Sequence, residues 1–250
     1  MNRHTTRAVR RLAVAEGRLF LRDPLTAFFS LAFPVVLLLV LGSVPSLRKA
    51  SPDMHGLSTI QLYAPILAVF TLMMLGLNGL PSLLGAYRER GVLRRMSASP
   101  VRPGLLFGAL LPLYLGIAVV SVLLVVVGGT VLGVGLPGSP LGFVVSFLLA
   151  AAALLSLGLL LAAVVPSAKA GNAVGALAFF PMMFFSGIWL PREFSPALVN
   201  RIGDFTPSGA AVQALQDSWA GHFPNSVGLL TLAAYALLAG AAAARLFRWE

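Results

Sequence analysis

Six long apolar runs dominate the chain, and the short stretches between them hold most of its charged residues. The runs cover residues 25–44, 60–86, 105–134, 141–165, 171–190 and 227–247. Each is close to the ~20 apolar residues that an α-helix needs to cross a bilayer. Segments of alternating polarity, which indicate membrane β-strands, do not occur. The pattern predicts an all-α integral membrane protein with six transmembrane helices in a single domain, residues 1–250.

Residues 1–23 precede the first run and follow a different pattern. Apolar positions recur at helical spacing, and arginines gather on the opposite face. The segment is therefore predicted to be an amphipathic helix at the membrane interface. The same surface also suits contact with a cytoplasmic partner, and the pattern leaves both interpretations open. Glu16 falls on the apolar face, where it either pairs with an arginine of residues 88–102 or extends its carboxylate to water.

Composition and charge add a topology to this picture. The chain is 58% hydrophobic and 10% charged, with a formal net charge of +10. Lys and Arg of membrane proteins concentrate in cytoplasmic loops, and a cytoplasmic N-terminus puts most of these residues on that side. Six spans then return the C-terminus to the cytoplasm, so the charge requires no nucleic acid. Together with an Arg-, Ala- and Gly-rich composition, this indicates a multi-pass protein of the bacterial plasma membrane.

The sequence carries no recognisable catalytic or metal-binding pattern, and it has no cysteine. The phosphate-binding motif G-x-x-x-x-G-K-[ST] is absent, because Lys49 and Lys169 are each followed by Ala. No ionisable residue lies near the centre of a run, which disfavours a proton relay or a charged-ion pore. We therefore expect no catalytic residue, metal or cofactor on this chain. These features favour a path for hydrophobic or amphipathic cargo, powered from outside the chain.

Residues 88–103, "RERGVLRRMSASPVRP", interrupt the apolar pattern after the second run. Val92, Leu93 and Met96 share one face of a short predicted helix, and Arg94 and Arg95 lie elsewhere on it. A short helix with a mixed surface suits docking into a groove of a partner protein. It also suits a basic anchor on the membrane surface, and the pattern alone does not separate the two.

Residues 191–226 form the longest predicted stretch on the external side. Its apolar residues recur at roughly helical spacing, which predicts a half-buried helical hairpin in the outer leaflet. Two interpretations stay open: an outer gate that cargo displaces, and a cap that seals helix ends. Trp189 and Trp219 suit the membrane interface. The candidate gate residues are Gly187, Trp189, Pro191, Phe194, Phe205 and Pro207.

Two stretches resemble a known family. The segment "RERGVLRRMSASPVRP" is similar to the E-x-G-x-L-x-x-L-x-x-x-P loop of type-2 ABC exporter permeases, with Met96 where that family often has Leu. Residues 184–217, "FFSGIWLPREFSPALVNRIGDFTPSGAAVQALQD", resemble the family's signature around its fifth span. The daunorubicin-resistance-type subgroup, which exports drugs and lipids and confers antibiotic resistance, is the most similar.

The resemblance implies a half-transporter and not an enzyme. Two such permease subunits form the pore above two copies of a separate ATPase that binds ATP and Mg. We expect a homodimer, and a pair with a second permease stays open as the alternative. The loop is then a coupling helix, with Arg10, Arg11 and Glu16 of the N-terminal helix as a second ATPase contact. The residues expected to couple to the ATPase are Glu89, Arg90, Gly91, Val92, Leu93, Arg94, Arg95, Met96 and Pro100.

Two alternatives from other functional classes remain at this point. One is an autonomous secondary transporter or channel, although no internal repeat is visible. The other is a membrane enzyme that acts on lipid-linked substrates. Such an enzyme needs paired acids or histidines at one membrane face, and Glu193 with Asp204 is the external pair that the sequence offers.

Overall fold

The computed structural model describes residues 3–49, 58–97, 104–189 and 192–247. These residues form ten α-helices, joined by turns and two short 3₁₀ segments, and contain no β-strand. The helices are α1 (Arg3–Arg22), α2 (Pro24–Ser43), α3 (Thr59–Glu89), α4 (Val92–Ser97), α5 (Gly104–Val131), α6 (Pro140–Val164), α7 (Ala168–Phe185), α8 (Ala197–Asp204), α9 (Pro207–Trp219) and α10 (Ser226–Leu246).

Six of the described helices are long and apolar enough to cross a membrane: α2, α3, α5, α6, α7 and α10. The predicted all-α membrane fold is confirmed, and each apolar run corresponds to one of these helices. The fifth run differs most from its helix. Ser167 caps α7 by accepting a hydrogen bond from the Ala170 N–H at 3.2 Å, so the helix begins earlier than predicted. It also ends earlier, at Phe185, shortly before Gly187 with φ +80°.

Side-chain caps set the starts of the first two spans. The Asp23 carboxylate accepts hydrogen bonds from the Thr26 N–H at 3.3 Å and the Thr26 hydroxyl at 2.6 Å, and Pro24 follows as the first residue of α2. Ser58 and Gln61 form a capping box at the start of α3. The N-terminal helix therefore ends and the first span begins within two residues.

Two prolines in the first two spans, Pro34 and Pro81, closely follow π-helical segments. The segment Phe28–Ala32 lies just before Pro34 of α2, and the segment Met74–Gly79 lies just before Pro81 of α3. Proline has no N–H to donate, so the carbonyl four residues earlier loses its usual partner. For Pro34 that carbonyl belongs to Ser30, and the Thr71 hydroxyl of α3 lies 3.3 Å from it. The neighbouring span thus offers this acceptor a donor, which also lies within hydrogen-bond distance of the Leu67 carbonyl and the Ser121 hydroxyl.

The second span, α3, is the centre of the bundle. Of its most apolar window 83% is buried, against 22% for each of α2 and α7. Glycines let α6 and α7 approach it closely: a methyl group on Gly158 would overlap the carbonyl oxygen of Gly76, and one on Gly175 would overlap that of Leu77. Small residues at helix crossings permit such contact between backbones within a membrane.

The two ends of the bundle differ in charge. We call the end with α1, residues 86–97, the 165–167 turn and Phe247 the basic end. We call the end with residues 44–49, 132–139, 186–189 and 192–225 the far end. The described parts of both chain termini lie at the basic end, which agrees with an even number of spans.

At the far end, α8 and α9 are consecutive helices that differ in burial. α8 is largely exposed, whereas α9 packs against α6, α10 and α3. The Trp219 indole N–H donates to the Gly135 carbonyl at 3.1 Å, and the Ser139 N–H donates to the Ser218 carbonyl at 2.9 Å. Trp219 is therefore a buried joint between α9 and the 135–139 turn, where the sequence predicted an interfacial side chain.

Candidate functional site

The predicted short helix after the second span is present as α4, and Gly91 forms the bend between α3 and α4. Gly91 has φ +65°, and no neighbouring atom lies within 4 Å of the position of a Cβ. The backbone conformation itself therefore favours glycine here. Leu93 is fully buried and Met96 half-buried, whereas Arg94 and Arg95 are exposed. α4 is thus held by an apolar anchor and presents a basic surface.

Arg88, in the last turn of α3, reaches the C-terminal end of α6. Its guanidinium donates to the carbonyls of Ala162 at 3.1 Å, Ala163 at 3.5 Å and Val165, and lies 5.5 Å from the centre of the Phe247 ring. The last carbonyls of a helix have no partner within it and carry partial negative charge. Arg88 therefore satisfies these acceptors with a charge of favourable sign.

The next residue, Glu89, contacts the opposite kind of helix end. Its Oε2 accepts a hydrogen bond from the Ala168 N–H at 3.3 Å, in the first turn of α7. Negative charge is favourable at a helix N-terminus. We call Arg88 and Glu89 the 88–89 clamp. This clamp connects the last turn of α3, which precedes α4, to the end of α6 and the start of α7.

Glu16 of α1 is buried at the basic end, with 5% of its surface exposed. The Tyr87 hydroxyl, on α3, donates to its Oε1 at 2.6 Å. Burial raises the pKa of the Glu16 carboxyl above its ordinary value, and the Tyr87 hydrogen bond opposes that shift. The two local contacts predicted for the Glu16 carboxylate are wrong, whereas its contact with an ATPase stays a prediction. The carboxylate does not extend to water, and its observed partner is a tyrosine and not an arginine. Arg10 and Arg11 are exposed on α1.

An open groove of about 570 Å³ lies between α2, α3 and α7. Phenylalanines from all three helices form a continuous aromatic wall in it: ring centres are 5.2 Å apart for Phe33 and Phe70, and 5.7 Å apart for Phe70 and Phe179. Asn78 and Asn172 provide polar groups, and Asp23 lies at the end nearest α1. The groove suits a largely apolar molecule with a few hydrogen-bonding groups.

Of the gate candidates at the far end, Trp189, Phe194 and Phe205 are exposed. Gly187 is buried in the turn after α7, and its positive φ fits the predicted break of the fifth span. Pro207 is buried as the first residue of α9, a position where proline is favoured. Pro191 lies outside the described residues.

Asp204 of α8 forms an ion pair with Arg192, whose carbonyl accepts a hydrogen bond from the Asn200 side chain at 2.8 Å. These contacts fold the 192–204 segment onto itself. Asp204 was one half of the acid pair that a membrane enzyme required, and in the structure it is engaged by a cation. Nothing is described of the Glu193 side chain.

Residues 7–218 match the family described as ABC-2 type transporter. The match covers most of the chain. The chain belongs to the ABC-2 type transporter family. Among curated proteins, no significant match to the chain is found. It is therefore a type-2 ABC permease, the membrane subunit of an ABC transporter, as the two sequence stretches implied.

The structure separates the predicted coupling residues of this ABC-2 permease into two groups. Arg94 and Arg95 face outward, and Arg90 also lies on the surface, its carbonyl accepting a hydrogen bond from Arg95 at 3.2 Å. Leu93 is fully buried, so its side chain holds α4 to this chain, and its part in coupling stays a prediction. Val92 is half-buried. Pro100 lies outside the described residues.

Sequence reasoning did not single out Tyr87 or the two contacts of the 88–89 clamp. Tyr87 marked only the end of an apolar run, and Arg88 is one of several arginines in its stretch. Their partners are 71 to 79 residues away in the chain. One usable signal was the position of Arg88 and Glu89 at the end of an apolar run, because charged side chains there can reach the ends of neighbouring helices.

Proposed function

We propose that this chain is the permease half of an ATP-driven exporter for hydrophobic or amphipathic molecules. Two copies form the pore, and two copies of a separate ATPase bind at the basic end, in the cytoplasm. The observation that carries the proposal is the 88–89 clamp. It connects the end of α3, next to the exposed basic helix α4, to α6 and α7 in a chain of the ABC-2 type transporter family.

The clamp supplies a mechanical route from α4 to the groove. A displacement of α4 by a partner acts on the end of α3 through the Gly91 bend. The clamp passes it to α6 and to the first turn of α7. Because α7 forms one wall of the groove, a shift of α7 alters the groove. Helices move as rigid elements in such transitions, so contacts at their ends suffice to move their full length.

The surface of the spans supports a second copy beside α2 and α7. Among the described spans, large exposed aromatic side chains occur on these two helices: Phe28 on α2, and Phe180 and Phe184 on α7. The exposed large side chains of α5, α6 and α10 are aliphatic. Aromatic residues are enriched in protein interfaces, whereas aliphatic surfaces suit lipid tails. A homodimer built on this face encloses the two grooves between its subunits.

The first experiment is co-purification of the chain with an ATPase encoded beside it, followed by measurement of ATP hydrolysis and export in vesicles. Arg94→Glu reverses a charge on the exposed face of α4 and is expected to reduce coupled export roughly tenfold, because like charges across an interface repel. Arg201→Glu, the same change on exposed α8 at the far end, is the matched control. Equal export by both variants would show that α4 does not take part in coupling.

The two lysines test the orientation without any substitution. Lys49 lies at the far end and Lys169 at the basic end, and both are exposed. A membrane-impermeant amine reagent is expected to modify Lys49 in intact cells and Lys169 only after lysis. Peptide mass spectrometry distinguishes the two sites. Modification of Lys169 in intact cells inverts the proposed topology.

A further inference from the structure

A second cavity, of about 430 Å³, lies at the basic end between α1, α3 and α5. It adjoins the groove, because Asp23, Thr26 and Ser82 line both. The two spaces differ in chemistry. Aromatic rings line the groove, whereas more charged and hydroxyl side chains line the cavity than line the groove. We call this second space the Glu16 pocket. Its polar lining consists of Glu16, Arg22, Asp23, Thr26, Ser82, Tyr87, Arg90 and Tyr114.

Two buried groups in the Glu16 pocket have unused hydrogen-bonding capacity. Within the described part of the chain, Oε1 of Glu16 receives the Tyr87 hydroxyl and no group donates to Oε2. The Tyr114 side chain is 4% exposed, and its hydroxyl has no hydrogen-bond partner among the described residues. Gly79 makes room for that ring, since a Cβ there would lie 3.1 Å from Tyr114 Cε1.

Among the described residues, no cationic side chain forms an ion pair with the Glu16 carboxylate. Burial of an ionised group is costly unless it is paired, and one hydrogen bond from a neutral tyrosine compensates only part of that cost. Arg22 and Arg90 also line the pocket, but both side chains are exposed. A compact ammonium group carries three donors, and this cavity is lined by a carboxylate and two tyrosines that can accept them. Tyrosine ring faces also attract cations.

We propose that the Glu16 pocket binds the ammonium head of an amphipathic amine whose apolar body lies in the adjoining groove. Glu16 Oε2 and the Tyr114 hydroxyl contact the head, and Phe33, Phe70 and Phe179 contact the body. The site gives the proposed exporter a preference for cationic amphiphiles over neutral or anionic ones of equal size. Only this last step, from ligand to cargo, rests on the proposed function.

The test uses the full-length chain alone, purified in a non-ionic detergent, so it needs neither ATPase nor transport. The probe is dodecylamine that carries a diazirine in its alkyl chain, and the comparison probe is the corresponding alcohol. We expect saturable photolabelling of groove peptides by the amine, displaced by unlabelled dodecylamine. Glu16→Gln is expected to weaken amine labelling about tenfold or more, since it removes a charged hydrogen bond. Labelling by the alcohol should not change.

Tyr114→Phe is the second variant, expected to weaken amine labelling a few-fold without altering charge. Asp217→Asn is the matched control, because it also neutralises an acid but lies at the far end, where its carboxylate accepts from the Asn225 N–H. Size-exclusion profiles establish that each variant is folded. Equal amine affinity in the wild type, Glu16→Gln and Tyr114→Phe overturns the proposal, as does displacement of the amine by the alcohol at equal concentration. Either result leaves the ATPase-coupled function standing.

Discussion

At the basic end, the helices are joined by charged and hydroxyl side chains that reach from one helix to another. At the far end, α9 is joined to the 135–139 turn by backbone hydrogen bonds and a buried indole. Arg88, Glu89 and Tyr87 make the first kind of link. The Ser139–Ser218 backbone bond and the Trp219 indole make the second.

This difference indicates at which end the contacts between helices can change when a helix moves. A link made by one side chain can break and re-form when its helix turns, and it depends on one residue. A link made by several backbone groups is lost only when the segment itself unfolds. The contacts of the basic end can therefore rearrange when one helix moves, whereas the turn at the far end preserves its local shape.

The largest effect is expected for Arg88→Gln. The change leaves carbonyls at the end of α6 without their charged donor, at a cost of about 2–3 kcal/mol. The thermal unfolding midpoint in detergent should fall by roughly 5 °C. Arg90→Gln, two residues away and exposed, is the control and should stay near the wild-type midpoint. Equal midpoints for the two variants contradict the assigned role of Arg88.

A substitution at the far end should have a smaller and more local effect on stability. Breaking the partly buried Arg192–Asp204 pair by Arg192→Gln, Asp204→Asn and the double variant should give a coupling energy of about 1 kcal/mol. Amide hydrogen exchange should accelerate within residues 192–205 only. Faster exchange that extends to α4 argues against the independence of the two ends.

Gly91→Ala should cost about 1 kcal/mol, because alanine is disfavoured at φ +65°. Asparagine tolerates this conformation better, so Gly91→Asn should cost less. Gly108→Ala is the matched control. No neighbour lies within 4 Å of its Cβ position, and it should be neutral or stabilising. Unfolding midpoints order the three variants, and equal loss for Gly91→Ala and Gly108→Ala contradicts a conformational role for Gly91.

The smallest effect concerns pH. The pKa of Glu16 is raised when α1 is docked, so docking takes up a proton. Attachment of α1 should be strongest at acid pH. It should weaken as pH rises from the ordinary glutamate value through the raised one, and then level off. Hydrogen exchange of α1, corrected for its intrinsic pH dependence, measures this. The variant Glu16→Gln should lose this pH dependence of exchange. It leaves the other charged residues around the pocket, Arg22, Asp23 and Arg90, unchanged.

The sequence predicted those features that depend on neighbouring residues. Apolar runs, the amphipathic N-terminal segment and the short helix after the second span all follow from periodicity. The start of α7 was misplaced because Ser167, a cap, lies outside the apolar run.

The features that the sequence did not predict depend on distant residues. Glu16 was recognised as anomalous on an apolar face, but its partner lies 71 residues away. The groove likewise combines three helices from separate parts of the chain, so its aromatic wall had no local signature. Leu93 followed the helical pattern correctly, yet the pattern does not say whether an apolar face meets a partner or the chain's own core.

An ordinary ion pair between two side chains can be exchanged in evolution, since swapping the acid and the base preserves the attraction. The 88–89 clamp cannot be exchanged in this way, because its partners are the ends of helices, and the direction of the chain fixes their polarity. A descendant of this protein that keeps the turn between α6 and α7 must keep the basic residue before the acidic one. The order of Arg88 and Glu89 in the sequence is thus determined by the direction in which the chain runs through α6 and α7.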